Sequence, residues 1–242
     1  MNIKSIIKNV LRFFSAIPKS YKSKILYYHD VYDNVMYTDM GTTLELFKQH
    51  IDVIKGMGFE LVPEIDNNRK QIKICFDDGF KGIWDCREFF IANKIKPTVF
   101  IAVELIGKDG YLSIEEIKEL QKNGFKFQCH SWSHNNLTTF SESELDRELV
   151  DSKLHIENII GASVDEICFP MGYFNDLVYN KCIEAGYKKL YSSLSGPYDK
   201  NFKPNMLCRY LVQHSSANEV RQIINGGDDI FYKWNLKRHY VK

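Results

Sequence analysis

The six cysteines of this 242-residue chain make no CxxC pair and no regular framework. Their spacing excludes a disulfide-stapled scaffold and a cysteine-rich zinc module. Neither sign of charge is in excess, with 32 basic residues against 31 acidic ones. The electrostatic footprint of a nucleic-acid binder is therefore missing. Internal repeats and low-complexity segments are also absent, which removes solenoids and biased tails from consideration. Within residues 1–24 there is no acid at all, only Lys4, Lys8, Arg12, Lys19, Lys22 and Lys24.

That first segment carries Ile3, Ile6, Ile7, Val10, Leu11, Phe14 and Ile17 at roughly helical spacing, so residues 1–23 read as a basic amphipathic helix that ends near Pro18. It is too short and too charged to span a bilayer. Lys8 and Arg12 interrupt the apolar centre a secretory signal needs. The expectation is a helix packed on the domain or, through residues 1–17, lying on an anionic membrane surface. The protein is accordingly placed in the cytoplasm or at the membrane periphery. Cys75, Cys129 and Cys168 fall in apolar runs, where a buried reduced thiol fits a reducing compartment.

What the chain does contain is a repeated format: an apolar run that closes on a residue able to do chemistry. Lys73-Ile-Cys-Phe76 runs into Asp77-Asp78-Gly79, Lys24-Ile-Leu-Tyr-Tyr28 into His29-Asp30, Phe125-Lys-Phe-Gln-Cys129 into His130, and Glu166-Ile-Cys-Phe169 into Pro170-Met171-Gly172. Two adjacent carboxylates repel, so Asp77 and Asp78 are best explained by a bound cation, although Asp-Gly is also a turn signal. Between these runs lie helical segments. Thr43 caps one through Ile54, Ile83 to Asn93 forms another, Ser113-Ile-Glu-Glu116 is a capping box, and Glu142–Ile160 is a long amphipathic stretch. Further strands are expected at residues 59–62, 98–103, 189–191 and 207–213, and a last helix at 217–225. With 44% hydrophobic residues the chain can bury one large core as a single domain. The alternation argues an α/β fold, and in a barrel of parallel strands the carboxyl ends of all strands share one face.

His130 and His134 stand four residues apart, which on a helical turn would aim both imidazoles at one ion. With Asp78 they make two histidines and a carboxylate, a set that leaves coordination positions open. The same ligand types serve non-haem iron oxygenases, but an acid beside the ligand suits hydrolysis better.

In that order, Phe76-Asp77-Asp78-Gly79, His130-Ser131-x-x-His134 and Phe169-Pro170-Met171-Gly172-Tyr173 resemble the first three motifs of the polysaccharide deacetylases, carbohydrate esterase family 4 with its NodB homology domain. The resemblance spans residues 24–226 and leaves 227–242 as a tail. Tyr28-His29-Asp30-Val31 is similar to the branch that deacetylates poly-N-acetylglucosamine. It implies a distorted (β/α) barrel in which Asp78, His130 and His134 hold a divalent metal, zinc first, with cobalt, nickel or iron as alternatives. It also implies Asp77 as general base, His29 as general acid, and a backbone N–H near Met171 for the oxyanion. The substrate would be an acetylated amino sugar or polysaccharide, with an O-acetyl esterase or a silent carbohydrate-binding member as alternatives. Cys168 stands where many members have an arginine that braces the base, and Arg209 is the candidate substitute. His214 competes with His29 for the acid role. Trp132, Tyr173, Phe174 and Tyr111 are candidates for a sugar shelf, each equally able to fill core space. His50 and His155 read as surface or interface residues, and the basic aromatic tail as a docked or frayed terminus.

Overall fold

Each apolar run becomes a strand whose two faces are largely buried, as parallel sheets require. The computed structural model describes residues 10–15 and 20–242. Its strands are β1 (Lys24–Tyr28), β2 (Asp30–Tyr32), β3 (Gly41–Thr43), β4 (Glu60–Leu61), β5 (Gln71–Phe76), β6 (Thr98–Ile101), β7 (Lys126–Cys129), β8 (Glu166–Cys168), β9 (Lys189–Tyr191), β10 (Met206–Leu207) and β11 (Tyr210–Leu211). The main sheet runs β10-β9-β8-β7-β6-β5-β1-β11 with every pair parallel, and β4 lies on β5. The two edge strands are the ends of one extended stretch linked by Cys208 and Arg209, so the expected strand 207–213 is divided between two partners. The stretch joins both edges and closes the sheet into a distorted (β/α) barrel, with Arg209 N–H donating to Leu194 O at 2.9 Å and Val212 N–H to Tyr27 O at 3.2 Å.

Strand alternation then sorts the side chains. Ile25, Tyr27, Cys75, Phe100, Cys168, Tyr191 and Leu207 fill the barrel interior, while Leu26, Tyr28, Ile72, Ile74, Phe76, Val99 and Phe127 pack outward against the helices. The same parity carries inward past the strand ends, to His29 after β1, Asp77 after β5 and His130 after β7. At the amino-terminal end the interior is polar. Lys73 donates to Glu64 at 3.0 Å, Glu166 at 3.2 Å and the Tyr191 hydroxyl at 2.8 Å, and Lys126 and Lys189 also reach Glu166.

The helices follow their sequence signals with local departures. Thr43 Oγ1 caps Leu44–Gly56, and Ser113 and Glu116 form the capping box of Ile114–Lys122. The helix expected at 83–93 is two short ones, Gly82–Asp85 and Arg87–Ala92, broken at Cys86. β6 stops at Ile101 and is followed by a 3-10 turn at Val103–Leu105, not by strand to residue 103. The stretch expected as one helix over 142–160 holds a π-helical turn at Arg147–Asp151. Residues 10–15 are helical and pack on the domain through Arg12, whose guanidinium pairs with Asp228 at 2.5 Å and Glu219 at 3.0 Å. The remainder of the segment read as amphipathic, 1–9 and 16–19, lies outside the described residues. Among the described residues no helix is long and apolar enough to cross a membrane. All six cysteines are free and buried.

Burial alone would push the Glu166 carboxyl up, but Lys73, Lys126 and Lys189 hold it well below the ordinary carboxylate range. A depressed folded-state pKa contributes stability above the unfolded value, lost as pH falls through the folded one. Glu166→Leu, which leaves Lys73 buried with only the partly exposed Glu64, is expected to lower unfolding free energy by about 3–5 kcal/mol at neutral pH. Urea midpoints measured from neutral pH downward should fall for the wild type below pH ~4 and converge with the variant; parallel curves would show that Glu166 is not the titrating group.

Candidate active site

Phe76 ends β5, and the chain then turns sharply. Asp78 has φ 71° and Gly79 φ 79°, and a side chain on Gly79 would meet Ile101 Cγ2 at 2.8 Å, so only glycine lets the turn close over β6. Seven non-glycine residues among those described have positive φ, and four of them, Asp78, Ser131, His134 and Met171, belong to the three motifs. Strain of about 1–3 kcal/mol at such a residue persists only where the surroundings impose it, and it gathers at functional sites.

The histidine segment is not the helical turn its spacing suggested. Residues 130–134 form an irregular loop in which Ser131 (φ 68°) and His134 (φ 61°) are left-handed, and the two rings still come within 4.9 Å of each other. Ser131 Oγ accepts from His134 N–H at 3.1 Å, and the buried Glu148 carboxylate accepts from the N–H groups of Trp132 (3.1 Å) and Ser133 (3.0 Å). Glu148 lies on the π-helical turn, a rare geometry enriched at functional sites. No feature of the sequence marks Glu148, because it acts on backbone and belongs to no motif.

Asp78 Oδ1 lies 3.2 Å from His130 Nε2 and 2.9 Å from His134 Nε2. These approaches are not hydrogen bonds, for Oδ1 is buried and has no donor. His130 Nδ1 lies 2.7 Å from the Cys168 carbonyl, which can only accept, so Nδ1 carries the proton and Nε2 turns a lone pair toward Asp78. A carboxylate oxygen and an imidazole lone pair facing one another without a shared proton are what a cation between them would require. The donor set, two nitrogens and one oxygen, fits a divalent metal with positions left open.

Asp77 is clamped. Arg209 Nη1 donates to Oδ1 at 2.7 Å and Nη2 to Oδ2 at 2.9 Å, a two-pronged ion pair with both side chains buried. The guanidinium also bonds Ser192 O at 3.1 Å, touches Cys168 Sγ at 2.9 Å and lies 4.0 Å over the Tyr27 ring. Arg209 thus holds Asp77 from the closing stretch. The thiol at 168 leaves it room, since a second arginine there would meet it head on. Burial pushes Asp77 up, yet Arg209 brings it below the usual carboxylate range.

His29, half-buried after β1, has Nδ1 at 2.5 Å from Gln213 Oε1, so Nε2 is free to face the cleft. His214, its competitor, is exposed and absent from the cleft wall, whereas its neighbour Gln213 points inward. His29, Asp77, Asp78, His130, His134, Met171 and Arg209 all line one cleft of about 540 Å³ at the carboxyl ends of the strands. A second hollow of about 610 Å³, lined by Asp66, Asn67, Lys188 and Asp199 at the other end of the barrel, holds none of the motif residues.

The expected sugar shelf is not where these aromatics sit. Trp132 packs between Arg147 and His155, Phe174 is fully buried, Tyr111 stacks on Phe80, and Tyr173 leans on His239; none of the four lines the cleft. His50 is buried and not on the surface: its Nδ1 accepts from the Tyr28 hydroxyl at 3.0 Å and its Nε2–H donates to Ser215 O at 2.7 Å. His155 is exposed. The tail folds back as a helix, Tyr232–His239, which brings Trp234, Asn235, Arg238 and His239 to the cleft wall.

The family model described as polysaccharide deacetylase matches residues 64–190, more than half of the chain. A peptidoglycan-N-acetylglucosamine deacetylase of Bacillus cereus is 26% identical over 172 residues, covering 69% of this chain and 78% of that one. A Bacillus subtilis protein named "Putative polysaccharide deacetylase" is 23% identical over 185 residues, or 70% of this chain, which spans only 64% of that relative's length. Among solved structures, a Streptococcus pyogenes deacetylase in complex with acetate superposes with a TM-score of 0.75 at 20% identity, over 84% of this chain and 98% of that one. With the family model spanning the double aspartate, the histidine loop and the Pro170 turn, the chain belongs to the polysaccharide deacetylase family.

Proposed function

We propose that this protein is a metal-dependent hydrolase that removes N-acetyl groups from an acetylated amino sugar or its polymer and releases acetate. The observation that carries the reading is the pairing, within one cleft, of a cation-shaped gap between Asp78, His130 and His134 with a second carboxylate fixed by Arg209. Held by those three ligands, a divalent ion, zinc by donor type, would supply Lewis acidity to the acetyl carbonyl and acidify water.

The chain's own residues do the rest. Asp77 Oδ2 also accepts from the Cys168 thiol at 3.6 Å, whereas Oδ1 keeps a lone pair outside the Arg209 fork and accepts the proton of the attacking water as the water oxygen bonds to the acetyl carbon. Arg209 fixes the direction of that lone pair, so little reorganisation remains at the moment of reaction. Met171, held at φ 56° after Pro170, offers its backbone N–H to the developing oxyanion. His29 delivers a proton from Nε2 to the leaving nitrogen, with Gln213 holding its Nδ1–H. An amide nitrogen cannot leave as an anion, so this acid is needed for an N-acetyl group. An O-acetyl ester has a better leaving group and would need it less. His29 in the cleft therefore favours the N-deacetylase over the esterase, and the intact ligand and base set weighs against a silent binding member.

Three outcomes test the assignment. Asp77→Asn should lower acetate release from N-acetylglucosamine oligomers by about 10²- to 10⁴-fold while zinc binding by titration is unchanged; full turnover in this variant would remove Asp77 as the base. Replacement of His29 by alanine should reduce kcat by about 10²-fold or more without loss of metal, whereas His214→Ala should leave kcat within about twofold; the reverse pattern would reassign the acid. Arg209→Met is expected to cut kcat by about 10- to 100-fold with the metal retained, and an unaltered kcat in a folded variant would show that Asp77 needs no brace.

A further inference from the structure

The reaction just described uses nothing from the carboxy-terminal helix Tyr232–His239, yet that helix supplies four of the residues lining the cleft. Trp234, Asn235, Arg238 and His239 recur at helical spacing and so occupy one face. The helix is fastened just beyond the third motif. Phe174 N–H donates to His239 O at 3.0 Å, Val241 N–H donates to Phe174 O at 2.9 Å, and Asn235 Nδ2 donates to Ser195 Oγ at 2.7 Å. Asn235 and His239 are buried and form part of the floor, whereas Trp234 is 60% exposed and Arg238 is exposed at the rim. The Arg238 guanidinium lies 5.7 Å from the indole centroid.

The charge balance of the cleft singles out Arg238. Arg209 is engaged by Asp77, and Asp228 by Arg12. Among the described residues, Arg238 is the cleft cation with no carboxylate within 4.0 Å. Lys233 and Lys237, both exposed on the same helix, add charge of the same sign. A neutral sugar would stack on the indole and accept hydrogen bonds through its hydroxyls, but it would leave the charge of Arg238 unmatched. A sugar ring with an apolar face and an anionic substituent engages both groups, by stacking and by a charge-assisted bidentate hydrogen bond.

We propose that Trp234 and Arg238 form a subsite for an anionic group carried on or next to the acetylated sugar, a carboxylate or a phosphate, so that the preferred substrate is an acidic glycan or a sugar phosphate conjugate. The proposal rests on the deacetylase reading for the sugar, but its test measures binding. Calorimetry on the zinc-loaded full chain would compare the neutral di-N-acetylchitobiose, the disaccharide of N-acetylglucosamine with N-acetylmuramic acid, and N-acetylglucosamine 1-phosphate, at low and high salt. At least one anionic ligand should bind about tenfold or more tightly than the neutral one, the margin shrinking with salt. Which of the two gains the margin tells carboxylate from phosphate. In Arg238→Met the margin should fall to about twofold or less, Arg238→Lys should restore part of it, and Trp234→Ala should weaken both disaccharides by about tenfold. Equal binding of all three ligands, or a margin that survives in folded Arg238→Met, would overturn the subsite. Absence of acetate release from any ligand, with the binding margin intact, would count against the deacetylase reading alone.

Discussion

The buried pair of Asp77 and Arg209 is the interaction on which the arrangement depends. It joins the end of β5 to the stretch that closes the barrel, and it does so in the interior, where an unpaired charge would be costly. Because both oxygens of the carboxylate are engaged, Asp77 has one orientation, and its neighbour Asp78 is turned by its left-handed backbone toward the two histidines. One ion pair therefore holds the seam shut and divides two adjacent acids between different tasks. Cys168 is part of the same solution: its small thiol leaves room for the guanidinium to arrive from a stretch further along the chain.

Strain and support are distributed around that pair in a consistent way. The four left-handed residues of the three motifs sit where loops leave the sheet, and much of the support for the site comes from groups that appear in no motif. Glu148 gathers the histidine loop through two backbone N–H groups, the Cys168 carbonyl fixes the His130 tautomer, Gln213 steadies His29, and the terminal helix is laced to Phe174 just beyond the Pro170 turn. At the opposite end of the barrel, Lys73, Lys126 and Lys189 around Glu166 form a polar plug that has no part in the cleft. The barrel thus has a chemical end and a structural end, the usual division where all strands run parallel.

Much of this was legible before any coordinates. The apolar runs, their punctuation by turns, and the reactive residue after each run were sufficient for an α/β barrel with one face of strand ends, because burial on both faces leaves that signature in a parallel strand. The candidate ligands Asp78, His130 and His134 were legible as well, since residue type and order survive whatever conformation the loop adopts. The errors have a common cause. Four-residue spacing between His130 and His134 suggested a helical turn, but the ligand geometry is made by two left-handed residues, which propensity does not anticipate. Trp132 and Phe174 were candidates for a sugar shelf because they adjoin motifs, yet adjacency in sequence says nothing of which side of the barrel wall a ring occupies.

What the sequence determined by itself is therefore the chemistry available: two carboxylates, three histidines, their order, and the parity that points Asp77, His29 and His130 to one side of their strands. Which arginine pairs with Asp77, which of Gln213 and His214 faces the cleft, and which aromatic residue stands at its rim were decided by tertiary structure alone. The reason is physical. Each of these depends on where the closing stretch changes partners from β9 to β1 and on how the terminal helix docks, and both are set by contacts between segments far apart in the chain, for which local pattern carries no signal.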